Sequence, residues 1–146
     1  MSVEERLERL ESGEEIRQLR ANYCYHIDHT NPDEFTSLFV DDGTIDFGSA
    51  GTYTGHDELH EFVADIVPDY YSFIVHMLHN PIIDVDGDTA SGRWYFEAPA
   101  TSEGTDMWIQ GEYTDSYVRE DGKWLFESVD TRFNYVAEYD DGWGED

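Results

Sequence analysis

The sequence is almost without lysine. Lys123 is the only one, and it joins seven arginines against 34 acidic residues, for a formal net charge of −26. A surface of that sign excludes nucleic acid and anionic membrane as partners. Cysteine is scarce as well. Cys24 stands alone, so neither an intramolecular disulfide nor a thiolate metal cluster is available. One thiol fits a reducing cytoplasm, and its place in a helical, aromatic-rich stretch predicts a buried structural thiol. No run reaches the ~18 apolar residues of a membrane helix. The opening MSVEERLERLESGEE has no apolar core and is not expected to be a secretory signal. P-loop, G-x-G-x-x-G and G-x-S-x-G patterns are all missing, which leaves nucleotide and serine-hydrolase readings without support.

Core-forming residues are plentiful. Apolar residues make up 39% and aromatics 15% of 146 residues, enough for one domain with one core and too rich for a disordered acidic chain. The acidity is spread along the chain. A folded domain so charged repels itself in dilute buffer, whereas molar salt cuts the Debye length to about 3 Å. The expected setting is the high-salt cytoplasm of a halophile.

Residues 3–30 read as helical, with Ser12-Gly-Glu-Glu15 as a capping box opening the main helix. Ile16, Leu19, Tyr23 and Ile27 form an apolar stripe. Asn31-Pro32 ends it. A short helix over Asp33–Phe39 precedes the turn Asp41-Asp42-Gly43 and a strand Thr44–Phe47. A further helix runs from Gly55-His56 to about Ile66, stopped by Pro68. Long strands follow: Tyr71–Val85, Thr89–Ala98, Asp106–Arg119 and Trp124–Tyr135, separated by the turns Asp86-Gly87-Asp88 and Glu120-Asp121-Gly122-Lys123. Residues 140–146 read as a frayed acidic tail. Helices ahead of an antiparallel meander indicate α+β: a strongly curved antiparallel sheet wrapped around the N-terminal helices, a cone with an internal cavity. Apolar residues lie on both faces of strands 89–98, 106–119 and 124–135. An uncovered face would be a large patch, so a homodimer or homotrimer is expected.

Several polar residues invite a chemical reading. Asp28 ends the apolar helix at the negative pole of its dipole, where a carboxylate suits a general base if partly buried and is a plain helix-end Asp if not. His76 and His79 are an odd step apart on a strand, so they face opposite ways and do not share a metal. His76 lies in phase with Ile74 and Leu78, which fits either a core histidine or a catalyst facing a cavity. His56 and His60, at i, i+4, lack the Glu of H-E-x-x-H and read as a solvated helix face. His26 and His29 flank Asp28 and are expected in solvent. Asp84, Asp86 and Asp88 lack the rest of a calcium loop. No metal and no cofactor is expected.

Three stretches carry a resemblance. IRQLRANYCYHIDHTNPDEFTSLFVDDGTIDF, HMLHNPIIDVDGDTASGRWYF and DSYVREDGKWLFESVDTRFNY resemble, in order and spacing, the SnoaL-like branch of the nuclear-transport-factor-2-like superfamily over about residues 12–137. The nearest look is to the scytalone and bile-acid dehydratases. That resemblance implies an acid–base dyad of Asp28 and His76, with Tyr23 matching a helix tyrosine of the bile-acid enzymes. Further residues of scytalone dehydratase find no match: Ile27 and Phe47 stand where it has tyrosines. The implied function is a cofactor-independent dehydratase or isomerase for a small hydrophobic, oxygenated molecule, with Phe47, Trp94, Trp108 and Tyr113 as candidate cavity walls. The alternative is a non-catalytic ligand-binding or assembly domain, like the small subunits of ring-hydroxylating dioxygenases.

Overall fold

The computed structural model describes residues 1–144. Helix α1 spans Val3–Asp28 without a break. Its capping box lies at Ser2 and not at Ser12: the Ser2 hydroxyl accepts from the Glu5 N–H, and the Glu5 carboxylate accepts from the Ser2 N–H. Ser12 and Gly13 are buried inside the helix, because Ser12 lies beneath the Arg119 guanidinium, whose Nη1 donates to its hydroxyl at 3.4 Å. Ile16, Leu19, Tyr23 and Ile27 form the stripe that meets the sheet. After Asp28 the chain turns through Thr30, at φ 55°, into α2, Pro32–Thr36.

Strand β1 begins at Phe39, earlier than the turn signal suggested, and runs to Asp46. It bulges between Phe39 and Thr44, which absorbs the Asp41-Asp42-Gly43 turn, and it pairs parallel with the last strand. β2 is Thr52–Thr54 and α3 is Gly55–Glu61. Pro68 does not stop this helical run. A wider π-type turn over Phe62–Ile66 resets the hydrogen bonding, and α4, Val67–Tyr70, carries Pro68 in its first turn, where no N–H is needed. β3 (Phe73–Ile74), β4 (Met77–Asp86), β5 (Thr89–Ser102), β6 (Thr105–Glu120) and β7 (Lys123–Glu138) complete the chain.

The sheet order is β2-β1-β7-β6-β5, with β3 and β4 both on the far edge of β5. All pairs except β1–β7 are antiparallel. Bulges on β6–β7 sharpen the curl into a half-barrel around α1. At one of them Gly111 is obligatory: a Cβ there would sit 2.2 Å from the Arg132 carbonyl and 2.7 Å from the Phe96 ring. Inward side chains of β5, β6 and β7, among them Phe96, Ile109, Tyr113, Phe126 and Val129, meet the α1 stripe in one core. Of the tail residues, Trp143 stacks on Tyr135 and meets Trp108 edge-on, so this part is docked by its ring. Glu145 and Asp146 lie outside the described residues. No helix among the described residues is long and apolar enough to cross a membrane.

Candidate active site

The expected long strand from Tyr71 is interrupted at Val75-His76, and the cause is Pro99. Val75 donates to the Pro99 carbonyl at 3.2 Å, but proline has no N–H with which to answer. The next N–H, that of His76, points away from β5 because alternate residues of an antiparallel edge strand do. It donates to Asp28 Oδ2 at 3.0 Å. The other oxygen, Oδ1, accepts from His76 Nδ1 at 2.6 Å. One carboxylate at the end of α1 thus holds both the backbone and the ring of His76. A carboxylate only accepts, so the proton of the neutral ring lies on Nδ1 and Nε2 carries the lone pair. Each side chain is 10% exposed.

His76 stands between two voids. On one side is a surface groove of about 930 Å³, bordered by Asp28, Tyr25, Ser72 and Val75. On the other is a cavity of about 520 Å³ between α1, the α3–α4 segment and the sheet. Asp28 borders only the groove, Tyr23 only the cavity, and His76 both. The cavity wall is aromatic. Phe96 stacks on Tyr113 with centroids 4.3 Å apart, the His76 ring lies 6.4 Å from Phe96, and Phe47 stacks on Phe133. Burial pushes the Tyr23 and Tyr113 phenols upward, so at neutral pH they are hydrogen-bond donors and not bases.

Of the four residues expected to wall the cavity, Phe47 and Tyr113 do so. Trp94 does not border it: its indole N–H donates to the Tyr117 hydroxyl at 3.1 Å inside the core. Trp108 is out of phase with the inward-facing Ile109 and packs on the other face of the sheet against Tyr139 and Trp143. Phe62, Tyr71, Phe96 and Phe133 also border the cavity and were not singled out from the sequence. Phe96 and Phe133 share the inward phase of their strands, which was the available signal.

Beneath the cavity floor lies a charged pair. Arg20 Nη2 donates to Asp115 Oδ1 at 2.9 Å, with both side chains 0% exposed. The Tyr117 hydroxyl donates to Asp115 Oδ2 at 2.6 Å. The guanidinium lies 3.6 Å from the Tyr113 ring centroid and 4.2 Å from that of Tyr23. Burial works against the Arg20 charge, but Asp115 and the surrounding tyrosines outweigh it and the net shift is upward. Burial pushes the Asp115 carboxyl up, opposed by Arg20 and Tyr117. Arg20 sits one helical turn after Ile16 on the apolar stripe, and Asp115 shares the phase of Tyr113 and Tyr117. Both were readable as charges on buried faces.

The remaining histidines are dispersed. His56 Nε2 donates to the Phe39 carbonyl and His60 Nε2 meets Asp33 Oδ1, each at 3.1 Å, so the i, i+4 pair has divergent partners. His79 pairs with Glu97 at 2.8 Å on the exposed side of the edge strand. His29 Nδ1 donates to the Tyr25 carbonyl, and His26 Nδ1 accepts from Asn31. No group of three or more His, Cys, Asp or Glu able to hold a metal occurs among the described residues. Cys24 is buried, and burial pushes its thiol up to about 12.

This fold is matched elsewhere. The model of the SnoaL-like domain family covers residues 8–130, and the chain belongs to that family. An uncharacterized protein of Mycobacterium tuberculosis (strain H37Rv) is 29% identical, over 90% of each chain. Among solved structures, a candidate scytalone dehydratase from Novosphingobium aromaticivorans is 27% identical, with a TM-score of 0.80 over 89% of both chains. The hexachlorocyclohexane dehydrochlorinase LinA-type3 from Novosphingobium barchaimii shares the fold with a TM-score of 0.86, at 23% identity over 96% of this chain and 98% of that one.

Proposed function

We propose that the protein is a cofactor-independent lyase or isomerase that moves a proton with His76. The observation that carries this reading is the 2.6 Å Asp28–His76 contact at the wall of an apolar cavity. Nε2 takes a proton from a carbon next to a carbonyl. It then delivers that proton to a departing hydroxyl in a dehydration, or to another carbon in an isomerisation. Asp28 fixes the tautomer and stabilises the imidazolium formed in between. Tyr23, a neutral phenol on the cavity side, donates to the substrate oxygen where negative charge develops. Each step moves only protons and a leaving group within the substrate, and none calls for a cofactor. The relatives named a dehydrochlorinase and a candidate scytalone dehydratase support an elimination of this kind. The free Nε2 beside the cavity favours this reading over a domain built only for assembly.

The test is deuterium exchange next to the carbonyl of α-tetralone in D₂O, followed by NMR. His76→Gln should lose about 10²–10⁴-fold of the catalysed exchange. His79→Gln, on the exposed side, should leave it unchanged. Exchange that survives His76→Gln would sink the reading.

The net charge of −26 further supports folding adapted to molar salt, and exposed apolar residues such as Ile82 and Tyr95 support a homodimer or homotrimer. Thermal melts from about 0.1 to 3 M KCl, with light scattering at the upper end, check both. A melting temperature that does not climb, or a mass of one chain throughout, refutes the respective statement.

A further inference from the structure

We propose that the cavity accepts only uncharged substrates: a free alcohol or ketone, and not a carboxylate, a phosphate or a substrate presented on an anionic carrier. This deepens the functional reading above and rests on the cavity being the substrate site.

The argument is an inventory of charge. No Lys, Arg, Asp or Glu borders the cavity. Its titratable groups are His76 on the edge strand, Tyr23 on α1, Tyr113 on β6, and Tyr53, Tyr70 and Tyr71 on the segment that closes it. A protonated His76 would offer one positive charge, but Asp28 cancels it from 2.6 Å. Arg20 is the one guanidinium behind the wall. It is committed to Asp115 and screened from the void by the rings of Tyr23 and Tyr113, on which it stacks. The groove on the other side of His76 adds Asp28, Cys24, Tyr25, His29 and His79 and likewise no Lys or Arg. None of the other basic residues borders the cavity. Arg119 ties Glu8 to Asp88, and Arg93 faces Glu112 on the exposed side of the sheet. An anion entering this cavity gives up its water and gains no cation. A carboxylic acid can bind only after taking up its proton.

A matched pair of probes reads this directly: methyl 2-naphthoate and 2-naphthoic acid, titrated in 3 M KCl between pH 5 and 8. High salt screens the overall charge of the protein, so the comparison reports on the cavity. The ester should bind with a Kd independent of pH. The acid, ionising near pH 4 like other carboxyls, should weaken about tenfold per pH unit and be at least about a hundredfold weaker than the ester at pH 7. Ile109→Trp fills the cavity and should abolish ester binding. His76→Gln should preserve the ester-over-acid ratio while losing deuterium exchange, so selectivity and proton transfer fail separately. Acid binding as tight as the ester at pH 7 overturns the proposal. So does ester binding that is absent in the unmodified protein or that survives Ile109→Trp.

Discussion

Helix α1 presents two carboxylate-centred pairs to the sheet about two turns apart, and they are built to opposite ends. Arg20–Asp115 is sealed, with no exposure on either side chain. Asp28–His76 is shorter, at 2.6 Å, but each side chain keeps 10% of its surface open. In the sealed pair the carboxylate has a second fixed donor, Tyr117, and the guanidinium packs against two tyrosine rings. In the open pair the carboxylate spends both oxygens on one histidine and leaves Nε2 free. The difference teaches how to separate support from chemistry in a chain with few cations. A fully buried pair, stacked on aromatic rings and closed by a second donor to its carboxylate, holds the floor in place. A pair that ends on an unused lone pair beside a void can act on something.

Breaking the sealed pair should have the largest effect. Arg20→Met strips Asp115 of its cation in the core and leaves it only the Tyr117 hydroxyl, and should cost about 3–5 kcal/mol in denaturant melts at high salt. The double variant Arg20→Met, Asp115→Leu should recover much of that loss, because no charge is then stranded. A double variant as unstable as the single one would mean that the pair contributes something other than mutual neutralisation.

Much of this architecture was legible in the sequence. The 3.6-residue stripe Ile16–Leu19–Tyr23–Ile27 gave the inward face of α1, and the Asp-Gly-Asp and Asp-Gly turns placed the hairpins. The phase of Ile74, His76 and Leu78 put His76 inward. The sequence resemblance supplied the pairing of Asp28 with His76, which pattern alone did not: Tyr23 and Asp28 are about 140° apart on an ideal helix, and they do face different voids. The errors have local causes. Ser12 looked like a cap because a capping box is a short pattern, and burial under Arg119 overrode it. Pro68 looked like a stop because a π-type turn cannot be read from composition. Trp94 faces inward as a wall residue must, but its N–H is drawn to Tyr117. Trp108 failed on phase alone.

A smaller effect sharpens the contrast from the side of Cys24, which lies on α1 between the two pairs. Its thiol is pushed up to about 12 from an ordinary 9.0, by burial first and then by nearby carboxylates, against the pull of Arg20. A raised pKa means that the contribution to stability is complete below pH 9 and is lost as pH rises from about 9 toward 12. The unfolded thiol ionises in that window and the folded one does not. The stability of the unmodified protein should therefore fall more steeply there than that of Cys24→Ala, by up to about 1.4 kcal/mol per pH unit. Equal slopes would place Cys24 in contact with solvent.

The smallest expected change in stability, about 1 kcal/mol, comes from Asp28→Asn, which keeps one acceptor oxygen and turns the other into a donor at the edge of the fold. The same variant bears on the central claim, that Asp28 sets the His76 tautomer so that Nε2 is the free base. The ¹⁵N shifts of the His76 ring, read through its carbon-bound protons, report that tautomer directly. The account predicts a protonated Nδ1 and a bare Nε2 in the neutral ring of the unmodified protein, with the preference lost in Asp28→Asn. A ring protonated on Nε2, or one whose tautomer is indifferent to Asp28, would contradict it.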